Sequence, residues 1–138
     1  MKRFADLSEQ EILALAISSE DEDNRIYRDI AEGLREEYPT SAEMFDRMAD
    51  EELRHHGRLL DLYRKKFGDY VPLVRRQDVK GFVQHRPVWL VRPLGLDQVR
   101  KFAETVEYEN ARFYRKAAER TSDHAVRDLL MRLAEAVG

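Results

Sequence analysis

The chain has 138 residues, of which 43% are hydrophobic and 37% charged, and its formal net charge at pH 7 is -3. This length and mixture predict a single soluble, helical domain over residues 1–138, since a disordered chain would be less apolar. Interspersed charges exclude a broad basic surface for nucleic acid, and the lack of cysteine excludes disulfides and thiolate metal sites. No apolar run is long enough to span a membrane, so we expect a cytoplasmic protein.

Helical patterns cover most of the chain. The predicted helices lie at about residues 8–38, 41–67, 97–120 and 123–137. Ser8 with Glu11, and Thr40 with Glu43, have the spacing of capping boxes at the start of the first two helices. Gly68 is suited to end the second helix. These boundaries predict an all-α protein.

Residues 68–96 break the helical pattern with repeated glycine and proline. A connection of this length can return along a bundle, which predicts a long crossover between the second and third helices. Its basic residues are predicted to form a loose cluster on a solvated face, and they are Arg75, Arg76, Lys80 and Arg86. Trp89 is expected to pack against the bundle. Asp97 is expected to cap the third helix, and residues 121–123 to start a short fourth helix.

Ionisable side chains interrupt the apolar stripes of the first three helices. Glu20 lies on the first stripe, Glu52 and His55 on the second, and Glu107 on the third. Residues three apart on a helix share a face, so Glu52 and His55 can hold one cation together. An isolated pair with this spacing is more often a surface ion pair. Apolar residues flank this pair on the same face, which favours a buried metal site.

An internal repeat strengthens the metal hypothesis. Residues 16–32 align with residues 103–119 at an offset of 87, and eight of the seventeen positions are identical. The repeat makes Glu20 and Glu107 equivalent, and a tyrosine follows each of them seven residues later, Tyr27 or Tyr114. A buried carboxylate needs a partner. A metal ion bound to the carboxylate, together with a hydrogen bond donated to it by the tyrosine hydroxyl, would stabilise it.

Neighbouring residues leave alternatives open for the ligand set. Glu51 and His56 lie beside the pair on the second helix and could replace either member. Asp23 and Glu104 are adjacent to the other ligand positions and are interpreted as supporting residues or ligands of second choice. Carboxylate oxygens with one imidazole suit Fe(II), Mn(II) or Zn(II).

The pattern of Glu, then ExxH, then Glu on successive helices resembles the rubrerythrin group of the ferritin-like superfamily. The segments MKRFADLSEQEILALA, DVKGF, RPVWLVRPLG and ERTSD look most like the N-terminal domain of membrane-bound ferritins, which precedes a membrane-embedded iron transporter domain. The resemblance implies a ferritin-like four-helix bundle with a long crossover and a shortened fourth helix. It also implies dimers, and iron binding at Glu20, Glu52, His55 and Glu107.

The sequence departs from that pattern in two places. Val137 stands where the fourth helix should carry a ligand Glu, and the histidine expected three residues later would lie beyond Gly138. Asn110 stands where rubrerythrins have a further carboxylate. The second half of the site is therefore expected to be incomplete, and a rubrerythrin-type peroxidase cycle is disfavoured.

Three functions follow from the resemblance. The first is oxidation of Fe(II) at an iron site, binuclear if a second ion is completed, for storage, export or detoxification of iron. Mn or Zn could substitute for the iron. The second is a non-catalytic dimerisation or iron-sensing module, built as a homodimer that can exchange helices. The third is a peroxide reductase with an external electron donor. A membrane is expected as a partner only through a C-terminal transporter domain that this sequence does not include.

Overall fold

The structure is a computed structural model that describes residues 2–80 and 95–137, so the predictions for Arg86 and Trp89 lie outside the described residues. Within those ranges the chain forms four α-helices and confirms the predicted all-α bundle. They are α1 (Glu9–Leu34), α2 (Pro39–Phe67), α3 (Leu96–Glu119) and α4 (His124–Val137). None of these helices combines the length and the apolar character that are needed to cross a lipid bilayer.

The start of α1 follows the sequence prediction, whereas the start of α2 does not. The hydroxyl of Ser8 accepts a hydrogen bond from the backbone N–H of Glu11, and the Glu11 carboxylate accepts one from the N–H of Ser8, both at 3.1 Å. The capping box predicted at Thr40 is wrong, because α2 already begins at Pro39. Proline suits the first helical turn, where its missing N–H has no intrahelical partner and its φ is already helical.

Glycine and aspartate set three further helix ends. Gly68 ends α2 with a φ of 89°, as predicted. Gly95, at a φ of 101°, precedes α3, so the prediction that Asp97 caps this helix is wrong and Asp97 lies inside its first turn. Asp123 caps α4, because its Oδ1 accepts hydrogen bonds from the backbone N–H groups of Ala125 and Val126 at 2.9 and 3.1 Å.

Two apolar clusters form the core, one in each half of the bundle. The first joins the beginning of α1 to the ends of α2 and α3 and to α4, and includes Ile12, Tyr63, Ala117 and Leu130. The second joins the end of α1 to the beginnings of α2 and α3, and includes Ile30, Phe45 and Val99. Helices α2 and α3 therefore run in the same direction, antiparallel to α1. Since α2 has 29 residues and spans about 40 Å, its last residue, Phe67, and the first residue of α3, Leu96, lie toward opposite ends of the bundle.

The first part of the connection between α2 and α3 is fixed to the bundle. A pair of two-residue parallel strands joins β1 (Lys2–Arg3) to β2 (Val79–Lys80). The Ser18 hydroxyl on α1 donates to the carbonyl of Val74 at 2.5 Å, and the Tyr63 hydroxyl on α2 donates to the carbonyl of Tyr70 at 2.6 Å. These contacts hold residues 70–80 against α1 and α2, and a 3-10 helix at Arg76–Asp78 lies within this segment.

Candidate metal centre

A layer of buried polar side chains lies between the two apolar clusters. Its members are almost wholly removed from solvent, with exposed fractions of 0% for Glu20 and Asp23, 6% for Glu52, 1% for His55 and 4% for Asn110. Helices α1, α2 and α3 each contribute to this layer at about the middle of their length. Such a layer is expensive to bury unless its polar groups find partners.

Glu20, Glu52 and His55 converge on one point in this layer. The Nδ1 atom of His55 lies 3.5 Å from Oε2 of Glu20 and 4.0 Å from Oε2 of Glu52. One ligand atom from each residue lies within 4.8 Å of the other two. Bonds of roughly 2.0–2.2 Å to a cation place neighbouring donors about 3.0–3.5 Å apart, so a small inward movement of the side chains would complete the coordination.

The hydrogen-bonding state of these atoms fits a metal ion. Both carboxylate oxygens of Glu20, Oε2 of Glu52 and Nδ1 of His55 are buried, and outside their own group they have no hydrogen-bond partner among the described residues. Without a cation, only a proton held between Glu20 and Glu52 can join the two carboxyl groups. Orphaned polar atoms in a protein interior are rare, and each reduces stability by about 1–3 kcal/mol or more when the group is charged. A divalent cation would satisfy all four atoms at once.

Glu51 orients the histidine. Its Oε1 lies 3.0 Å from Nε2 of His55, one turn along α2, and the same carboxylate also pairs with Arg54. A proton on Nε2 that is donated to Glu51 leaves the lone pair of Nδ1 directed toward Glu20 and Glu52. In metal-bound histidines, the ring nitrogen that does not bind the metal commonly donates to a carboxylate, which fixes the orientation of the ring and raises its basicity. Glu51, a ligand of second choice in the sequence, is therefore placed as a support for His55.

Burial dominates the electrostatics of the two glutamates. It raises the pKa of Glu20 to about 8, and it also raises the pKa of Glu52, which the neighbouring Glu20 raises further. Two carboxyl groups that share a buried site cannot both ionise easily, so in the absence of a cation the pair retains a proton near neutral pH. Binding of a cation must displace that proton.

The equivalent glutamate of the repeat is placed differently. Glu107 on α3 is half-buried and is not part of the group of three donors that lie within 4.8 Å of one another. Burial raises its pKa, and the charges of Glu104 and Asp23 raise it further. Glu104 itself is exposed. His56, the other alternative on α2, is half-buried and also lies outside the group.

The two tyrosines of the repeat lie on opposite sides of the polar layer. Tyr27 belongs to the second apolar cluster and Tyr114 to the first, and both are fully buried. The hydroxyl of Tyr27 has no hydrogen-bond partner among the described residues. Burial raises the pKa of Tyr27, and the charges of Asp23 and Glu52 raise it further, which keeps the phenol neutral and able to donate.

Arg76 is the residue of the site that the sequence did not reveal. Its prediction as part of a solvated face is wrong, because its side chain is only 11% exposed and enters the polar layer. Its guanidinium donates to both oxygens of Asp23, at 2.9 and 2.8 Å, and to the amide oxygen of Asn110 at 2.7 Å. The segment 74–80 has no periodic pattern, so nothing in its sequence distinguishes Arg76 from the exposed Arg75.

The fold and the site together define a helical bundle with a buried cluster of carboxylate and histidine donors. The sequence model of the Rubrerythrin family matches residues 11–136, and the chain belongs to that family. Among solved structures, a hypothetical protein from Pyrococcus furiosus is similar, with a TM-score of 0.77 and 26% identity over 97% of this chain and 84% of that chain. No curated protein matches the sequence significantly.

Proposed function

We propose that the protein binds Fe(II) at Glu20, Glu52 and His55 and oxidises it with oxygen or peroxide, in the service of iron storage, export or detoxification. The observation that carries this proposal is the convergence of buried donor atoms that lack any other partner. Membership of the Rubrerythrin family supports iron over other divalent ions. Mn(II) or Zn(II) could occupy the same donors, since hard oxygen ligands with one imidazole accept all three.

The ligand chemistry favours oxidation of the bound iron. Two anionic carboxylates stabilise Fe(III) more than Fe(II), because the electrostatic attraction grows with the charge of the ion. Each Fe(II) gives up one electron to oxygen or peroxide, and the protons that this reduction consumes end in water or hydrogen peroxide. The protein's part is to bind the ion, hold His55 through Glu51 and release the carboxyl protons on binding.

A homodimer is part of the proposal. Within the described residues, the second apolar cluster is built from α1, α2 and α3 alone, because α4 has only 14 residues and packs in the other half. The surface of α2 and α3 includes Leu53 and Tyr108, which are 54% and 66% exposed. A second copy could cover this half of the bundle, and sedimentation of a monomer at micromolar concentration would argue against it.

Anaerobic titration with Fe(II), followed by exposure to oxygen, tests the proposed function. His55→Ala should lose tight binding and slow the formation of Fe(III), because the only imidazole among the three donors is removed. His56→Ala is the matched control, since it removes the adjacent histidine outside the donor group and should bind as the unaltered protein does. Equal stoichiometry, affinity and oxidation rate in both variants would refute the assignment.

A further inference from the structure

The polar layer contains a second cluster that the iron site does not use. The carboxylate of Asp23 accepts two hydrogen bonds from the guanidinium of Arg76, and its Oδ2 accepts a third, at 2.5 Å, from the side-chain amide of Asn110. The amide oxygen of Asn110 accepts from the same guanidinium. The three side chains therefore satisfy one another, in contrast to the orphaned donors of Glu20, Glu52 and His55.

The position of this cluster follows the internal repeat. Asp23 and Asn110 are equivalent residues, 87 positions apart, and they are hydrogen-bonded to each other. The axis that relates the two repeats therefore passes close to this hydrogen bond. A second metal ion related to the first by the same axis would need Glu107, the equivalent of Glu20, and a second Glu–His pair on α4, where Val137 stands at the position of the Glu. Glu107 lies outside the donor group, and Asn110 has an amide where its equivalent, Asp23, has a carboxylate.

Charge balance also argues against a second metal ion in this layer. Three carboxylates are buried in the layer, those of Glu20, Asp23 and Glu52. One divalent ion together with one guanidinium neutralises them. A second divalent ion beside the guanidinium would leave excess positive charge, even with the half-buried Glu107 ionised. Burial disfavours the charged form of Arg76, but Asp23 outweighs this and raises its pKa, so the guanidinium remains a cation. Its charge also opposes the rise in the pKa of Glu20.

Residues 70–80 hold Arg76 in place. The short helix Arg76–Asp78 is closed by a hydrogen bond from Nε of Arg75 to Oδ2 of Asp78 at 3.2 Å. Ser18 fixes the carbonyl of Val74 on one side, and β2 pairs with β1 on the other. The guanidinium is thus delivered by the connection between α2 and α3 and held at both ends of its segment. The Arg76 side chain is therefore a fixed component of the protein interior.

We propose that the guanidinium of Arg76 takes the place of a second metal ion, so that each chain binds a single divalent ion at Glu20, Glu52 and His55. With the guanidinium in place, the residues present fit one ion and do not fit two. Arg76 acts here as a positioning residue: it holds Asp23 away from the donor group and supplies the positive charge that a second ion would bring. This inference rests on the proposed function, because it presumes that the donor group binds metal.

Metal counting under anaerobic Fe(II) saturation tests the inference on the full chain. The unaltered protein should contain one ion per chain, and so should the control Arg132→Gln, whose side chain lies on the exposed surface of α4. Arg76→Gln removes the internal charge but can still hydrogen-bond to Asp23, and it should bind a second, weaker ion. Two ions in the unaltered protein, or one ion in Arg76→Gln, would overturn the inference. No ion in the unaltered protein would instead overturn the proposed function.

A second measurement covers the case in which Arg76→Gln does not fold. Anomalous diffraction from metal-loaded crystals of the unaltered protein should show one peak, at the donor group, with the guanidinium still bound to Asp23. A second peak between Asp23 and Glu107, with Arg76 displaced, would contradict the inference even though the protein binds iron.

Discussion

Replacement of Glu20 by Gln should make the metal-free protein more stable at neutral pH. Burial raises the pKa of Glu20 from 4.5 to about 8, so the folded protein retains this proton at pH values where the unfolded chain has lost it. The stability of the metal-free protein therefore falls as the pH rises from 4.5 toward 8. Between the ordinary pKa of 4.5 and pH 7, this difference lowers the free energy of unfolding by at most about 3 kcal/mol.

The expected gain for Glu20→Gln is smaller than this limit, about 1–2 kcal/mol at pH 7, because Glu52 shares the proton and some water can enter the site. Urea denaturation in the presence of a chelator measures it, at pH 5 and at pH 7. The gain should be present at pH 7 and nearly absent at pH 5, while metal binding is lost. Glu104→Gln, on the exposed surface, is the control. It should change neither the free energy of unfolding nor metal binding. A loss of 1 kcal/mol or more in Glu20→Gln at pH 7 would show that the ionised carboxylate is satisfied, contrary to the reasoning.

Three further results are expected. Glu51→Gln should weaken metal binding by roughly 10–100-fold in calorimetric titrations, since it loosens the support behind His55; unchanged affinity would separate Glu51 from the site. Metal affinity should rise with pH between about 6 and 8 by up to about tenfold per unit, because each ion displaces a carboxyl proton whose pKa is raised; a flat profile would contradict the shared proton. Tyr27→Phe should keep the metal-free protein as stable or make it slightly more stable in thermal melts, because the buried hydroxyl has no partner in the described structure. Destabilisation by more than about 1 kcal/mol would reveal a hydrogen bond.

The fold could be predicted because its signals are periodic. The stripe that carries Ile12, Glu20 and Tyr27 is buried along its full length in α1, and Ser8 caps that helix as expected. The errors lie at caps. Thr40 and Asp97 have suitable side chains, but Pro39 and Gly95 impose backbone conformations that start α2 and α3 earlier. Backbone preference at these two positions outweighed a side-chain hydrogen bond of about 1 kcal/mol.

The site could be predicted only as far as it follows helical spacing. Glu52 and His55 are three residues apart on one face, and the phase of the stripe places both inside the bundle. The repeat makes Glu107 the equivalent of Glu20, but Glu107 is half-buried and lies outside the group of three donors, so its place as a ligand stays a prediction. Arg76 reaches the core from an irregular segment, and its position depends on tertiary contacts that no local pattern encodes.

Location of the bound ion tests the central claim most directly. Crystals grown with Fe(II) under anaerobic conditions, and measured at the iron absorption edge, should show an anomalous peak bounded by Glu20, Glu52 and Nδ1 of His55. The carboxylate oxygens and the imidazole nitrogen should have closed to about 2.0–2.2 Å from it. An empty position between these three residues at saturating Fe(II), or iron bound only at surface carboxylates, would contradict the account.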